Sequence, residues 1–484
     1  MGFRFALGAV SAWVLLGSTA IAAPATPEMA AHLAKVFQTY LGAAPGVVAV
    51  TPVAEAYAVR IDMSPLFAML PAEMGSTSIS TQEMQLRDLG GGRWQVTQDQ
   101  PIRATMEIPG EFEVMLTAES SRFSGIFDEA LMSYAEGSGE MLGIVTTQTI
   151  TDAVSSRRTL SRTERSQFDI TGTVAKAGGV DMHIVGQSSG IEQSGTMPPM
   201  DGQGVPLPVN VTSPGYSSEI SVQGLRMAPM AGLLAWFVAH PAPEAITAAQ
   251  RGLRVALGDA VPLFDQATLE VIGQEMTAST PLGEFGVSGF GIKVVLNGIV
   301  ADGRLQETLR LSGLRIPDGV LPDWARPLVP TDAAFSVAVS GFDLAAPATL
   351  MIGAFDLTTE DIIDPAMGEF INEAFLPGSS VDLALSEGRI SNAAYDLRFE
   401  GKMTAGPEAM PLGTAQIDVA GVDAVLAALG AAPGEVASAA VPALLLLKGL
   451  GKAEADGSMS WTIDAEVPGE VWVNGLDVTA MFAQ

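Results

Sequence analysis

Ile102-Arg103-Ala104-Thr105-Met106-Glu107-Ile108, followed by Phe112-Glu113-Val114-Met115-Leu116, sets apolar side chains on every second residue. A period of two is the signature of a strand with one buried face, because successive side chains of extended chain point to opposite sides. The same alternation runs through Tyr57, Val59, Ile61 and Met63, and through Val180, Met182 and Ile184. It returns at Leu305, Leu309 and Leu311, at Phe335, Val337 and Val339, and at Val381, Leu383 and Leu385. Tyr395, Leu397 and Phe399, then Met459, Trp461 and Ile463, complete the series. The expected fold is therefore mainly β: long curved antiparallel sheets with a few short amphipathic helices, in an elongated or two-lobed body.

Pairs of turn-forming residues separate many of these strands. Gly178 with Gly179, Asp302 with Gly303, Glu387 with Gly388, and Asp456 with Gly457 suit the positive φ angles of tight hairpins. The stretch 196–215 holds five prolines and several glycines, which reads as a loop. That divides the chain into a β-rich lobe at 23–196, a linker at 197–216 and a second β-rich lobe at 217–484. One helix is well signalled ahead of the strands: Thr26 suits the N-cap, Pro27 the first turn and Gly42 the C-cap. Met29, Leu33, Val36, Phe37, Tyr40 and Leu41 share a face of it.

Composition narrows the function. Fifty-four acidic against 25 basic residues leave a net charge of -29, which opposes the phosphate neutralisation that nucleic-acid binding requires. With no cysteine there are no disulfides, thiolate nucleophiles or lipoprotein acylation point. Residues 1–22 read as a signal peptide: Arg4 precedes an apolar run, and Ala20-Ile21-Ala22 gives small residues at a cleavage site. The mature chain is then expected to begin at Ala23 or Pro24 in the periplasm, without a stable membrane anchor. The apolar stretch 227–238 falls short of the roughly 20 residues of a membrane span, and 439–450 carries Pro442 and Lys448. Five Tyr and six Trp are few for the aromatic girdles of an outer-membrane barrel.

A local signature recurs in the second half. Val222-Gln223-Gly224-Leu225-Arg226, Leu311-Ser312-Gly313-Leu314-Arg315, Val339-Ser340-Gly341-Phe342-Asp343, Val419-Ala420-Gly421-Val422-Asp423 and Val473-Asn474-Gly475-Leu476-Asp477 each place a glycine at a strand end. Several lead into apolar helical segments, such as 227–238 and 424–429. With the exported start and the acidic Ala/Gly-rich β composition, these steps resemble an uncharacterised periplasmic protein family of Gram-negative bacteria. That family is faintly similar to the AsmA-like and YdgA-like envelope proteins, some of which are associated with outer-membrane lipid homeostasis. The resemblance supplies no catalytic residue, and this chain lacks the N-terminal anchor usual in the AsmA group.

Catalytic and metal motifs fail on context. Gly186-Gln187-Ser188-Ser189-Gly190 matches the G-x-S-x-G elbow, but no helical stretch follows it, so a hairpin loop is expected. His32, His183 and His240 lack metal-ligand spacing, and Glu360, Asp361 and Asp364 lack the pattern of a calcium loop. Gly451 with Lys452 is no phosphate loop, because Ala453 stands where a hydroxyl residue is required. No enzyme activity and no cofactor are expected. Two clusters remain as candidate sites. Met230, Leu233, Leu234, Trp236 and Phe237 lie in a stretch with no charge between Arg226 and Glu244, and are expected to line an apolar-ligand cavity between sheets. Arg157, Arg158, Arg162 and Arg165 form the one basic cluster, suited to an anionic partner. Strict alternation would put Arg158 and Arg162 on one face and Arg157 and Arg165 on the other. The expected function is a non-enzymatic envelope protein that binds a lipid or other apolar ligand; the alternative is an envelope scaffold acting through protein contacts.

Overall fold

The computed structural model describes residues 24–67, 75–151, 156–197, 206–359, 361–406 and 410–479. Residues 1–23, which include the segment read as a signal peptide, lie outside the described residues. The chain is mainly β, 52% strand and 23% helical, with 21 strands and nine α-helices among the described residues.

Helix α1 (Pro27–Leu41) leads into β1 (Val48–Val53), β2 (Ala56–Ile61), the single turn α2 (Ser64–Phe67), β3 (Ser76–Ile79), β4 (Gln82–Gly90) and β5 (Arg93–Ile108). Five long strands follow: β6 (Phe112–Asp128), β7 (Ser133–Thr151), β8 (Ser156–Val174), β9 (Val180–Met197) and β10 (Leu207–Leu225). Helices α3 (Met227–Ala239), α4 (Pro243–Ala248) and α5 (Gln250–Ala260) precede β11 (Gln266–Thr280), β12 (Gly283–Asn297), β13 (Gly303–Ser312) and β14 (Asp332–Phe342). Next come α6 (Ala345–Ala354), α7 (Met367–Phe375), β15 (Val381–Ser391), β16 (Asp396–Ala405) and β17 (Leu412–Ala420). The chain closes with α8 (Val422–Gly430), α9 (Gly434–Leu450), β18 (Lys452–Ala453), β19 (Met459–Ala465), β20 (Trp472–Val473) and β21 (Leu476–Asp477).

From β4 to β17 each strand pairs antiparallel with the next, so the expected several sheets are one open meander. At the edges β1 pairs β2, β2 pairs β4, β3 lies beside β5, and β19 pairs β17, β18 and β20. The segment read as a linker is partly strand. Residues 207–216 belong to β10, which is hydrogen-bonded to β9 and β11 on its two sides; residues 198–205 lie outside the described residues. Pro214 fits inside this central strand because it sits where the ladder is interrupted, between the pairs Ser213↔Ile191 and Gly215↔Ser189.

That interruption crosses the sheet. Gly143 on β7 (φ 59°), Glu164 on β8, Gly190 on β9 (φ 61°), Pro214 and Glu275 on β11 (φ 47°) stand in one row, as the flanking pairs require. The row marks an extra residue, first met where the β5–β6 register shifts between Gln100 and Ile102. Beyond a bulge the alternation resumes one residue out of step, so the apolar set stays on one side of the sheet. Without it, Phe123 and Phe127 would face away from Val114 and Leu116.

All five strand-end glycines adopt positive φ: Gly224 65°, Gly313 61°, Gly341 83°, Gly421 82° and Gly475 77°. The left-handed step turns the chain off the sheet, and after Gly224, Gly341 and Gly421 it starts a helix within a few residues. Two other turn expectations differ. Glu387 (φ 52°) is a bulge inside β15 rather than a hairpin, and Gly303 opens β13 without a positive φ. Gly178 with Gly179, and Gly457, do turn hairpins.

Two small cores form where helices lie on the sheet. Ala30 and Leu33 of α1 pack on Tyr57, Val59, Leu86, Trp94 and Val96. The expected cap is present, since Thr26 Oγ1 accepts from Met29 N at 3.2 Å and Pro27 fills the first turn. Val422 of α8 packs with Trp461, Val473 and Val478 at the other end, and the Trp461 indole N–H donates to the Leu447 carbonyl of α9 at 2.8 Å.

Candidate functional site

Register decides which residues share a face, since directly paired residues project to the same side. Ala267, Leu296, Leu305, Val339, Leu383 and Met403 form one continuous row across β11–β16. Val271, Ile292, Leu309 and Phe335 form a second. Phe290, Leu311, Ala333, Ile390, Leu397, Val419 and Met459 form a third. The apolar series read from sequence thus converge on one side, the side that α1 and α8 cover at the two ends of the sheet. Between those ends it is open: Leu269 is 40% exposed, Ile292 39%, Leu305 44%, Val337 37% and Met403 46%. Large side chains in adjacent rows, each exposed to this degree, make a contiguous apolar surface of the kind that marks a binding site rather than scattered surface residues.

Helix α3 follows β10 and packs against α1 and α5. It spans Met227–Ala239 as expected, and it buries none of its residues. Met230, Leu234 and Phe237 form an exposed stripe at helical spacing. Trp236 turns the other way, stacking on His240 at 4.2 Å and lying against Gly252 of α5; Leu233 is half-buried. Met230, Leu234 and Phe237 thus form the exposed stripe, and Trp236 meets α5. Both α3 and α6 are apolar rather than amphipathic, with no charged residue in either span.

The opposite face is polar and carries shallow concavities of 390 to 540 Å³. One is lined by Glu270, Lys293, Arg310 and Arg389. Charges here are mostly matched. Lys293 meets Glu270 at 3.5 Å, Arg310 meets Glu387 at 3.1 Å, and Asp396 accepts from both Arg389 and Arg398. Those guanidinium contacts, Arg389 first, hold the Asp396 carboxyl below the usual carboxylate range.

The basic cluster is arranged differently from strict alternation. The extra residue at Glu164 brings Arg165 onto the polar face with Arg158 and Arg162, while Arg157 pairs across from Ile150 on the apolar side. Arg165 Nε meets Glu140 at 2.6 Å, and Arg122 approaches the same carboxylate at 4.0 Å. The four arginines do not form a single patch.

The rejected motifs fall in different places. Ser188 lies mid-strand in β9 rather than in a hairpin loop, buried, with its hydroxyl donating to Ser166 at 3.1 Å. His32 is on α1, His183 on the polar face 3.8 Å from Glu219, and His240 at the end of α3. Asp364 accepts from Ala366 N at 2.9 Å just ahead of α7, and Glu360 lies outside the described residues. No group of three His, Asp or Glu that could hold a metal occurs among the described residues. No helix there is long and apolar enough to cross a membrane.

Asp356 joins two helical segments. Its Oδ1 accepts from the Thr358 hydroxyl and N–H and from Gln250 of α5, while Gln250 Oε1 accepts from Leu357 N. The Thr358 hydrogen bonds, aided by Gln250, lower its pKa to about 2. A depressed folded value means that this contact is intact above the ordinary 3.8 and is lost as pH falls through about 2. Carboxyl ¹³C titration should give a midpoint near 2 in the native chain and closer to 3.8 in Thr358→Ala. A native midpoint at the ordinary value would show that the hydroxyl contact does not form.

These features define an open antiparallel β-meander with one apolar and one polar face. No family model matches the chain, and no curated protein matches it. Among solved structures, the siderophore receptor PirA from Acinetobacter baumannii overlaps with 7% identity and a TM-score of 0.16, over 75% of this chain and 62% of that one. The chain spans less than two thirds of that receptor, and overlap at this score establishes no shared fold.

Proposed function

We propose that this protein is a non-enzymatic component of the bacterial envelope that holds a lipid or other apolar ligand against the open face of its sheet. The observation that carries this reading is the exposure of Leu269, Ile292, Leu305, Val337 and Met403 in neighbouring rows on one side of β11–β16. Burying such rows releases about 25 cal/mol per Å² of apolar surface, and an acyl chain can follow a row without needing polar partners. The exposed stripe of Met230, Leu234 and Phe237 extends the same character onto α3. The periplasm is the proposed compartment, in keeping with the leader-like start of the sequence.

The test is extraction of the purified protein with organic solvent, together with titration of a neutral fluorescent acyl probe. Stoichiometric lipid, or probe binding at micromolar concentration, is expected. Leu269→Glu and Leu305→Glu, each placing a charge where the ligand would lie, should weaken binding by about tenfold or more while leaving the β-type circular dichroism unchanged. No extractable lipid and no probe binding would remove this reading in favour of a scaffold that uses the face for protein contacts.

A further inference from the structure

One charged side chain interrupts the apolar face. The row Ile220, Leu269, Val294, Glu307, Val337, Leu385 places Glu307 at the middle of β13, with its carboxylate on the apolar side. Val294 and Val337 flank it across the strands, Leu305 and Leu309 along its own strand, and the four diagonal positions on β12 and β14 are apolar too. It is exposed, and no hydrogen bond or ion pair engages it among the described residues. The contrast with the polar face is direct, since Glu270 and Glu387 there each have a basic partner. On β12 through β17 and β19, Glu307 is the one charged residue on the apolar side among the described residues.

Covering an ionised carboxylate with hydrocarbon is costly unless the covering molecule brings a compensating charge. An anionic amphiphile would add repulsion, from Glu307 locally and from the net charge of -29 overall. We infer that the apolar face selects amphiphiles carrying a cationic group, an ammonium or protonated amine that meets Glu307 while the chain lies along the rows of β11–β16. This rests on the ligand-binding reading above and names the ligand class for it.

The experiment displaces the neutral acyl probe with dodecyltrimethylammonium, dodecyl maltoside or dodecyl sulfate, each below its micelle concentration and at physiological salt. The native chain should bind the cation about fivefold more tightly than the maltoside, the scale of a partly exposed ion pair, and the sulfate most weakly. Glu307→Gln should bring cation and maltoside to equal affinity without loss of maltoside binding, and Glu307→Lys should reverse the order. Cation preference that persists in Glu307→Gln would assign the selectivity to overall charge and overturn the inference. So would a Glu307→Gln chain that only self-associates more, which would make Glu307 a guard against sheet-to-sheet aggregation. Equal binding of all three amphiphiles to the native chain would remove this inference and leave ligand binding standing, whereas binding of none would remove both.

Discussion

Trp94→Ala should destabilise the protein by about 3–5 kcal/mol, the range for deleting a large aromatic from a core. Trp94 is 8% exposed and central to the cluster beneath α1. Its ring meets Tyr57 edge-on at 6.2 Å, and its indole N–H donates to Glu129 at 2.7 Å. Tyr57 in turn accepts from Thr26 N through its hydroxyl, at the start of α1. Truncation leaves a cavity under the helix and frees the Tyr57 ring, so α1 should loosen along with the global loss. Hydrogen exchange of α1 amides and the urea midpoint would register the two effects. Trp94→Phe keeps most of the packing and loses the hydrogen bond, and should cost about 1 kcal/mol. An alanine variant as stable as the native chain would mean that α1 does not dock on the sheet.

Gly298→Ala should cost about 3 kcal/mol, for a different reason. A Cβ there would stand 1.8 Å from the Phe264 carbonyl oxygen and 2.5 Å from that of Pro262. Both obstacles are backbone, so no side-chain rotation relieves the clash. Gly298 N–H also donates to Asp265 O, tying the end of β12 to the turn that follows α5. A main-chain shift would therefore disturb the junction of the helical segment with the sheet. Gly258→Ala is the control: it lies in α5 with nothing within 4 Å of the added Cβ, and helix propensity favours alanine there by about 1 kcal/mol. Opposite shifts in urea midpoint are expected, and equal shifts would contradict the packing at Gly298.

Much of the fold was legible in the residues because it depends on near neighbours. Period-two alternation marks a strand through local side-chain geometry, and each series from Tyr57 to Ile463 falls in a strand or at its edge. The α1 caps and the strand-end glycines act within a few residues, so Thr26, Gly42 and the steps at Gly224, Gly341 and Gly421 appeared in their expected roles. Turn chemistry was less decisive, because Glu387 with Gly388 serves a bulge as well as a hairpin. The proline-rich stretch misled for a related reason: proline disfavours a central strand only where its missing N–H would be needed.

By itself the sequence determined a cysteine-free, acidic, mainly β chain built of long alternating strands, since composition and periodicity require no knowledge of distant contacts. Only the tertiary structure decided that these strands form one sheet and that their apolar sides coincide, because register depends on pairing between residues far apart. The extra-residue row at Gly143, Glu164 and Gly190 decided the face of Arg165, since one added residue reverses every side chain beyond it. The exposure of the apolar face was equally hidden: alternation shows which side is apolar, but coverage depends on where the helices dock. Glu307 reads in sequence as one acid among 54; its isolation comes from five neighbouring strands that set apolar residues beside it.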